Sequence, residues 1–288
     1  MKTPFPHFLA RLAGQPLLVR SDYLDNLSFA ALRTPRADAG DGEGSPAPDW
    51  TPPWVAREQV TIYPGGIAVI PVSGMLAKGF DALLAWCYDF WRVEAVEAAL
   101  ALCAASPEIK TVVIDFNCPG GYTTGIPELG AQVAALARSK TVFAFTGTMC
   151  ASAAYWLASQ CSKIVCTPSS TIGSVGTYCV YYDFSGYLAQ EGIKTELYRA
   201  GAMKGLHVMG HVRSDEEKAF IQTSVDEINA GFLAAVKAGR GALADADLQG
   251  QWFRGEVGVA KNFADGTVLN FGELLANLSA SLPQTVLA

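Results

Sequence analysis

The residues with chemistry to offer start at Thr146 and run to Trp156 (TGTMCASAAYW), immediately after the strand-like run Thr141 to Phe145 and at the opening of an apolar helix. Ser152, a small hydroxyl between alanines at such a strand-to-helix turn, presents its oxygen at a helix start, where unpaired backbone N–H groups stabilise developing negative charge. That is a nucleophile's position. The same local geometry also makes an N-cap serine, and these residues alone leave both readings open.

A serine nucleophile needs a base, most often histidine. The chain has three histidines: His7 in a leading segment, and His207 and His211 in a polar, glycine-flanked loop. His207 and His211 have i, i+4 spacing, but the HVMGH run contains a helix-weakening glycine and lacks the glutamate of a metalloprotease helix, which favours a solvated loop over a metal site. Lysine is the alternative base. Moving its pKa from about 10.4 to near 7 takes roughly 4 to 5 kcal/mol of differential destabilisation of the ammonium, which burial away from acids supplies. Lys204 sits among Gly201, Ala202, Met203, Gly205 and Leu206, with no carboxylate within five residues on either side. An ordinary surface lysine is the competing reading.

These side chains must be positioned by an alternating pattern that begins at Ile67. Ile67 to Val72 reads as a buried strand, Val93 to Cys103 as a helix, Thr111 to Phe116 as a strand and Asn117 to Tyr122 as a loop turning on Pro119, Gly120 and Gly121. Ile126 to Ala137 reads as a helix, followed by the strand ending at Phe145, the Ser152 helix and the strand Lys163 to Cys166. Such a succession implies an α/β fold with parallel crossovers, in which ligands gather at the loops leaving the strands' carboxyl ends. Gly120, Gly121 and Ser152 all leave strands at that edge and can be neighbours. Beyond the loop 167–176, strands are expected at Thr177 to Tyr182 and Lys194 to Arg199, with a helix near Leu188 between them. A long helix starts at the capping box Ser214/Glu217 and runs to about Lys237. The tail, Ala260 to Leu278, reads as a small helix, a strand and a closing helix.

The 288 residues, half of them apolar, can bury a large core. Three units are expected: an N-terminal segment 1–33 with an amphipathic piece from Ser21 to Leu32, a linker 34–58 rich in Pro, Gly, Asp and Ala, and a main domain 59–288. No apolar run approaches the roughly 18 residues of a membrane span. Met1 to Leu18 lacks the pattern of a secretory signal, so a cytoplasmic protein is expected. A net charge of -6 without a basic block argues against nucleic acid as the main partner. Seven cysteines with no C-x-x-C pair read as reduced core thiols, neither a disulfide frame nor a zinc site.

Five motifs in order, Ile67 to Gly74, CPGG (118–121), ASAAY (151–155), IGSVG (172–176) and GAMK (201–204), resemble the signal peptide peptidase A (protease IV) family. The nearest branch looks like the bacteriophage head maturation, or capsid assembly, proteases, which carry a similar leading segment, here from Pro16 through Leu32. The resemblance covers about residues 60–275 and implies a ClpP/crotonase-like fold and a cofactor-free, metal-free serine endopeptidase with a Ser-Lys dyad. On that resemblance Ser152 is the nucleophile, Lys204 the general base, Ser174 the serine that hydrogen-bonds the lysine amine, and the N–H groups of Gly121 and Ala153 form the oxyanion hole. It also implies phage head proteins as substrates and a homo-oligomeric ring, with the Lys204 loop acting within its own chain or completing a neighbour's site; the small residues near Ser152 point to small or apolar side chains before the scissile bond. Cys118 replaces the family's usual serine, and Ala153 and Ala154 replace a glycine pair; both changes keep small side chains. The membrane anchor of the cellular enzymes and the scaffold-like C-terminal extension of some phage members have no counterpart, so a separate scaffold, or none, is expected. Alternatives are a bacterial peptidase for signal peptides or membrane-protein fragments, an inactive relative serving in assembly, and, more distantly, acyl-thioester chemistry on the crotonase variant of the fold.

Overall fold

Thr111–Cys118 carries Val112, Val113, Ile114, Phe116 and Cys118, and a strand with apolar residues on both faces belongs where both are covered. In the computed structural model, which describes residues 17–19, 58–80, 85, 89–241 and 243–281, that run is a central strand. In chain order the strands are β1 (Leu17–Val19), β2 (Thr61–Tyr63), β3 (Ile67–Ser73), β4 (Met75–Ala77), β5 (Phe90–Arg92), β6 (Thr111–Cys118), β7 (Gly120–Tyr122), β8 (Thr141–Ala151), β9 (Lys163–Cys166), β10 (Thr171–Gly173), β11 (Trp252–Arg254) and β12 (Gly266–Thr267). The helices are α1 (Val93–Ala105), α2 (Ile126–Ala137), α3 (Ala153–Ser159), α4 (Ser185–Gln190), α5 (Asp215–Arg240), α6 (Gly255–Ala260) and α7 (Phe271–Ser281).

The main sheet has the order β11-β10-β8-β6-β3-β2, parallel from β3 through β10 and antiparallel at both ends, so the class is α/β with β-α-β crossovers as expected. A smaller sheet, β1-β7-β4-β5, stands beside it. Alternation along β6 divides the core. Val112, Ile114 and Phe116 join the large cluster with α1, α2, α3 and α5, while Val113 joins Ile67, Val69 and Phe145 under Leu274 and Leu278 of α7. On the edge away from β6, β8 serves two partners: Phe143 to Thr146 pair with β9, and Met149 to Ala151 pair with β10. That division carries β8 to Ala151 at the foot of α3, six residues further than the strand expected to end at Phe145.

α3 is buried on every side, which its run of Ala, Tyr, Trp and Leu permits. Tyr155 Oη donates to the Phe263 carbonyl at 2.9 Å, and Trp156 stacks on Phe232 of α5 with centroids 4.9 Å apart, a contact worth about 0.5–1.5 kcal/mol beyond area burial. The helix beneath Ser152 is therefore clamped from two directions.

Four expectations are corrected. Asn117–Tyr122 is not a loop: β6 continues to Cys118, and β7 starts at Gly120. Thr177 to Tyr182 and Lys194 to Arg199 are not strands, because neither finds an edge to pair with beyond an isolated bridge residue at Tyr178. The long helix runs on to Arg240. The amphipathic piece 21–32 and most of the linker lie outside the described residues, while Leu17–Val19 joins the smaller sheet.

Candidate active site

Ser152 is the N-cap of α3, yet its hydroxyl does not cap. No side-chain cap bond is formed, the residue is 1% exposed, and Oγ is a buried atom with no hydrogen-bond partner. Its backbone, at φ 54 and ψ -117, lies where side chains are disfavoured, a conformation that costs on the order of 1–3 kcal/mol. The cap, worth about 1 kcal/mol, is given up as well. The main chain holds the residue in place: Ser152 N–H donates to the Gly173 carbonyl at 2.8 Å, and Trp156 N–H donates to the Ser152 carbonyl at 2.9 Å. The N-cap reading is thus set aside in favour of a hydroxyl turned to an unpaired position.

Ser174 follows Gly173, whose strand partner is Ala151, so the two serines leave neighbouring parallel strands at the same level. Ser174 also has positive φ (55), and its N–H donates to the Gln251 carbonyl at 2.7 Å. It lines a cavity of about 400 Å³ with Val175, Thr177, Asn229 and Gln249, in which Thr177 Oγ1 and Asn229 Oδ1 are buried without hydrogen-bond partners.

Gly120 and Gly121 lie on β7, and both are packed so closely that only glycine fits. At Gly120 (φ 114) an added Cβ would stand 1.9 Å from the Leu18 carbonyl oxygen and 2.9 Å from Ser152 Cβ; at Gly121 it would stand 2.1 Å from the Leu76 carbonyl oxygen. Gly120, which was not among the expected site residues, is the glycine at which an added side chain would run into the serine. Ala153 is fully buried at the first position of α3. Cys118 is no rival nucleophile: its Sγ donates to the Gly120 carbonyl at 3.4 Å, and burial pushes the thiol up to about 12.

Lys204 does not join this group within one chain. It is exposed in the turn 201–207, and no hydrogen bond links its amine to the unpartnered Ser152 Oγ. The loop that carries Lys204 is nevertheless fixed at its base. Buried Glu217 accepts from Arg199 and from the Ser214 N–H (2.8 Å) and pairs with His211 Nε2 (2.9 Å), while Arg199 Nη1 also donates to the Lys204 carbonyl at 3.2 Å. Arg199, then the Ser214 amide, then His211 hold the Glu217 carboxyl down to about 2. The capping box exposed Glu217 in the sequence as a helix cap; its second role as an anchor had no sequence signal. His207 stacks on Tyr181, and among the described residues no group of three His, Cys, Asp or Glu side chains is placed to hold a metal.

The family model described as peptidase family S49 matches residues 134–278, half of the chain, taking in Ser152, Ser174 and Lys204. The chain belongs to peptidase family S49. It is 25% identical over 300 residues to the head-tail preconnector protein GP5 of Enterobacteria phage P21, covering 99% of this chain and 59% of that one. It is 27% identical over 271 residues to the capsid assembly protease C of Escherichia phage lambda, covering 91% and 58%. The S49 chain thus spans less than two thirds of the length of either phage relative. A putative signal peptide peptidase SppA of Enterococcus faecium is 27% identical over 171 residues, covering 59% and 46%. Among solved structures, an enoyl-CoA hydratase/isomerase from Marinobacter aquaeolei aligns at TM-score 0.48 and 12% identity over 79% of this chain and 76% of that one. A ClpP1 mutant from Listeria monocytogenes aligns at TM-score 0.43 and 12% identity over 72% and 94%. Among the described residues, no helix is long and apolar enough to cross a membrane.

Proposed function

We propose that this S49 chain is a serine endopeptidase that processes phage head proteins during prohead maturation, with Ser152 as nucleophile and Lys204 as general base. The observation that carries the reading is the Ser152 hydroxyl: buried, unpartnered, and held on a strained backbone that the surrounding bonds maintain. Strain kept without a stabilising contact is expected where a residue is poised for reaction. The phage role rests on the names of the two phage relatives.

The Lys204 amine takes the Ser152 proton, the alkoxide attacks a peptide carbonyl, and the N–H groups of Gly121 and Ala153 receive the oxyanion. An acyl-enzyme forms and water resolves it. Ser174 holds the lysine amine. Because Lys204 is exposed in the single chain, the base reaches Ser152 across a subunit contact in a ring of identical copies. Co-expression with phage head-protein genes, followed by mass spectrometry of new N-termini, tests this: Ser152→Ala and Lys204→Ala each abolish the new termini. Retained cleavage by either variant removes that residue from the mechanism.

The exposure of Lys204 favours one second reading, an inactive relative that serves in assembly. Failure of a fluorophosphonate probe to label Ser152 in the assembled oligomer decides for it.

A further inference from the structure

The strand next to the nucleophile is already occupied. β1 (Leu17–Val19) lies antiparallel on β7, pairing Leu17 with Tyr122, Leu18 with Gly121 and Val19 with Gly120. The other edge of β7 is taken by β4, through Leu76 and Gly121. An extended peptide seeking main-chain hydrogen bonds from the glycine strand therefore has one edge available, and β1 holds it.

The location is close to the chemistry. A Cβ placed on Gly120 would be 2.9 Å from the Leu18 carbonyl carbon and 2.9 Å from Ser152 Cβ, so those two atoms are no further apart than the two distances combined. The Leu18 side chain is 0% exposed and belongs to the same apolar cluster as Leu76, Trp91 and Ala153. Leu18 thus supplies both things a bound peptide would supply: an extended backbone on β7 and an aliphatic side chain filling apolar space beside the serine.

We infer that Leu17–Val19 occupies the substrate strand of this site, so that the chain blocks itself until the segment is displaced, and that the site takes extended peptides with a leucine-sized apolar residue opposite Gly121. The inference rests on the proposed catalytic role of Ser152 for its meaning, but occupancy of the strand is measurable without catalysis. Self-occupancy lowers the fraction of molecules able to bind a peptide and weakens its apparent affinity in proportion. A carboxylate at position 18 has no partner in that apolar environment and expels the segment.

The test uses the full chain with Ser152→Ala, so that no peptide is consumed, and a fluorescent peptide of residues 12–24 followed by anisotropy. Adding Leu18→Asp is expected to tighten peptide binding by about ten-fold or more, and the same peptide carrying the Leu18→Asp change is expected not to bind. Equal affinity with and without Leu18→Asp, or binding to neither protein, overturns the inference. Circular dichroism checks folding; if Leu18→Asp fails to fold, Leu18→Gly, which removes the side chain without adding charge, takes its place with the same two outcomes. In a parallel arm, fluorophosphonate labelling of Ser152 is compared between the unaltered chain and Leu18→Asp. Tightened peptide binding with no labelling in either chain keeps the occupied strand and removes the catalytic reading. Equal labelling in both with unchanged peptide binding does the reverse.

Discussion

Ser152 and Ser174 are the first residues past the paired ends of two parallel strands, β8 and β10, where Ala151 is the register partner of Gly173, and both have a backbone φ near 55°. A main-chain bond from Ser152 N–H to the Gly173 carbonyl ties the two turns together at 2.8 Å. Strand pairing thus sets the relative position of the two hydroxyl-bearing residues.

The backbone strain at Ser152 predicts a trade between stability and function. Ser152→Gly removes the steric conflict at φ 54 and is expected to raise unfolding free energy by on the order of 1 kcal/mol, after allowing for glycine's greater unfolded-state entropy. Ser152→Ala keeps the Cβ and gains nothing of that size. Thermal unfolding of the two variants checks the difference, and a Ser152→Gly chain no more stable than Ser152→Ala contradicts it.

Gly120→Ala forces a methyl group against the Leu18 carbonyl and Ser152 Cβ, neither of which is a flexible chain end. A loss of about 1–3 kcal/mol in stability is expected, with fluorophosphonate labelling of Ser152 reduced by on the order of a hundred-fold. Gly186→Ala in α4 meets nothing within 4 Å and serves as the control that stays at least as stable as the parent.

Glu217 supplies a pH signature. Its carboxyl is held at about 2, below the ordinary 4.5, so its contribution to stability is fully present above about 4.5 and is lost as pH falls toward about 2. In hydrogen exchange, the segment 199–213 is expected to lose protection over that window. Glu217→Gln should lower protection at neutral pH and flatten the acid dependence; an unchanged dependence would falsify the anchor role.

Asp115 titrates in the opposite sense. Burial raises its carboxyl from 3.8 to about 6, so the folded state is favoured below about 3.8 and this advantage disappears as pH rises through about 6. Asp115→Asn is therefore expected to raise stability at pH 7.5 by on the order of 1–3 kcal/mol and to change little at pH 3.5. Denaturant unfolding at the two pH values measures it.

If Lys204 serves a neighbouring copy, two inactive chains can complement each other. Mixing Ser152→Ala with Lys204→Ala subunits during assembly is expected to restore roughly a quarter of the activity, since a site works when an intact serine adjoins an intact lysine. No recovery in a mixed oligomer of demonstrated composition assigns the base to the serine's own chain.

What was legible in the sequence is local. Ile126–Ala137 has the helical bounds its apolar spacing prescribes, and the box at Ser214 and Glu217 starts α5 with both reciprocal bonds formed. The strand-to-helix turn at Ser152, and its neighbourhood with the Gly120 and Gly121 strand, followed from an α/β alternation that brings strand ends to one edge. Thr177 to Tyr182 and Lys194 to Arg199 have strand-like composition and are not strands, whereas Gly120–Tyr122 has turn-like composition and is one. Pairing requires a partner edge at the right height, and that edge comes from residues distant in the chain. The same holds for the site: composition could nominate Ser152, Ser174 and Lys204, but only the packed chain decides that the Ser152 hydroxyl makes no cap bond, that no side chain fits at Gly120 beside Ser152 Cβ, that Lys204 is exposed, and that the Leu18 backbone lies near the serine. Each of these is a distance between segments far apart in sequence, set by which surfaces bury one another.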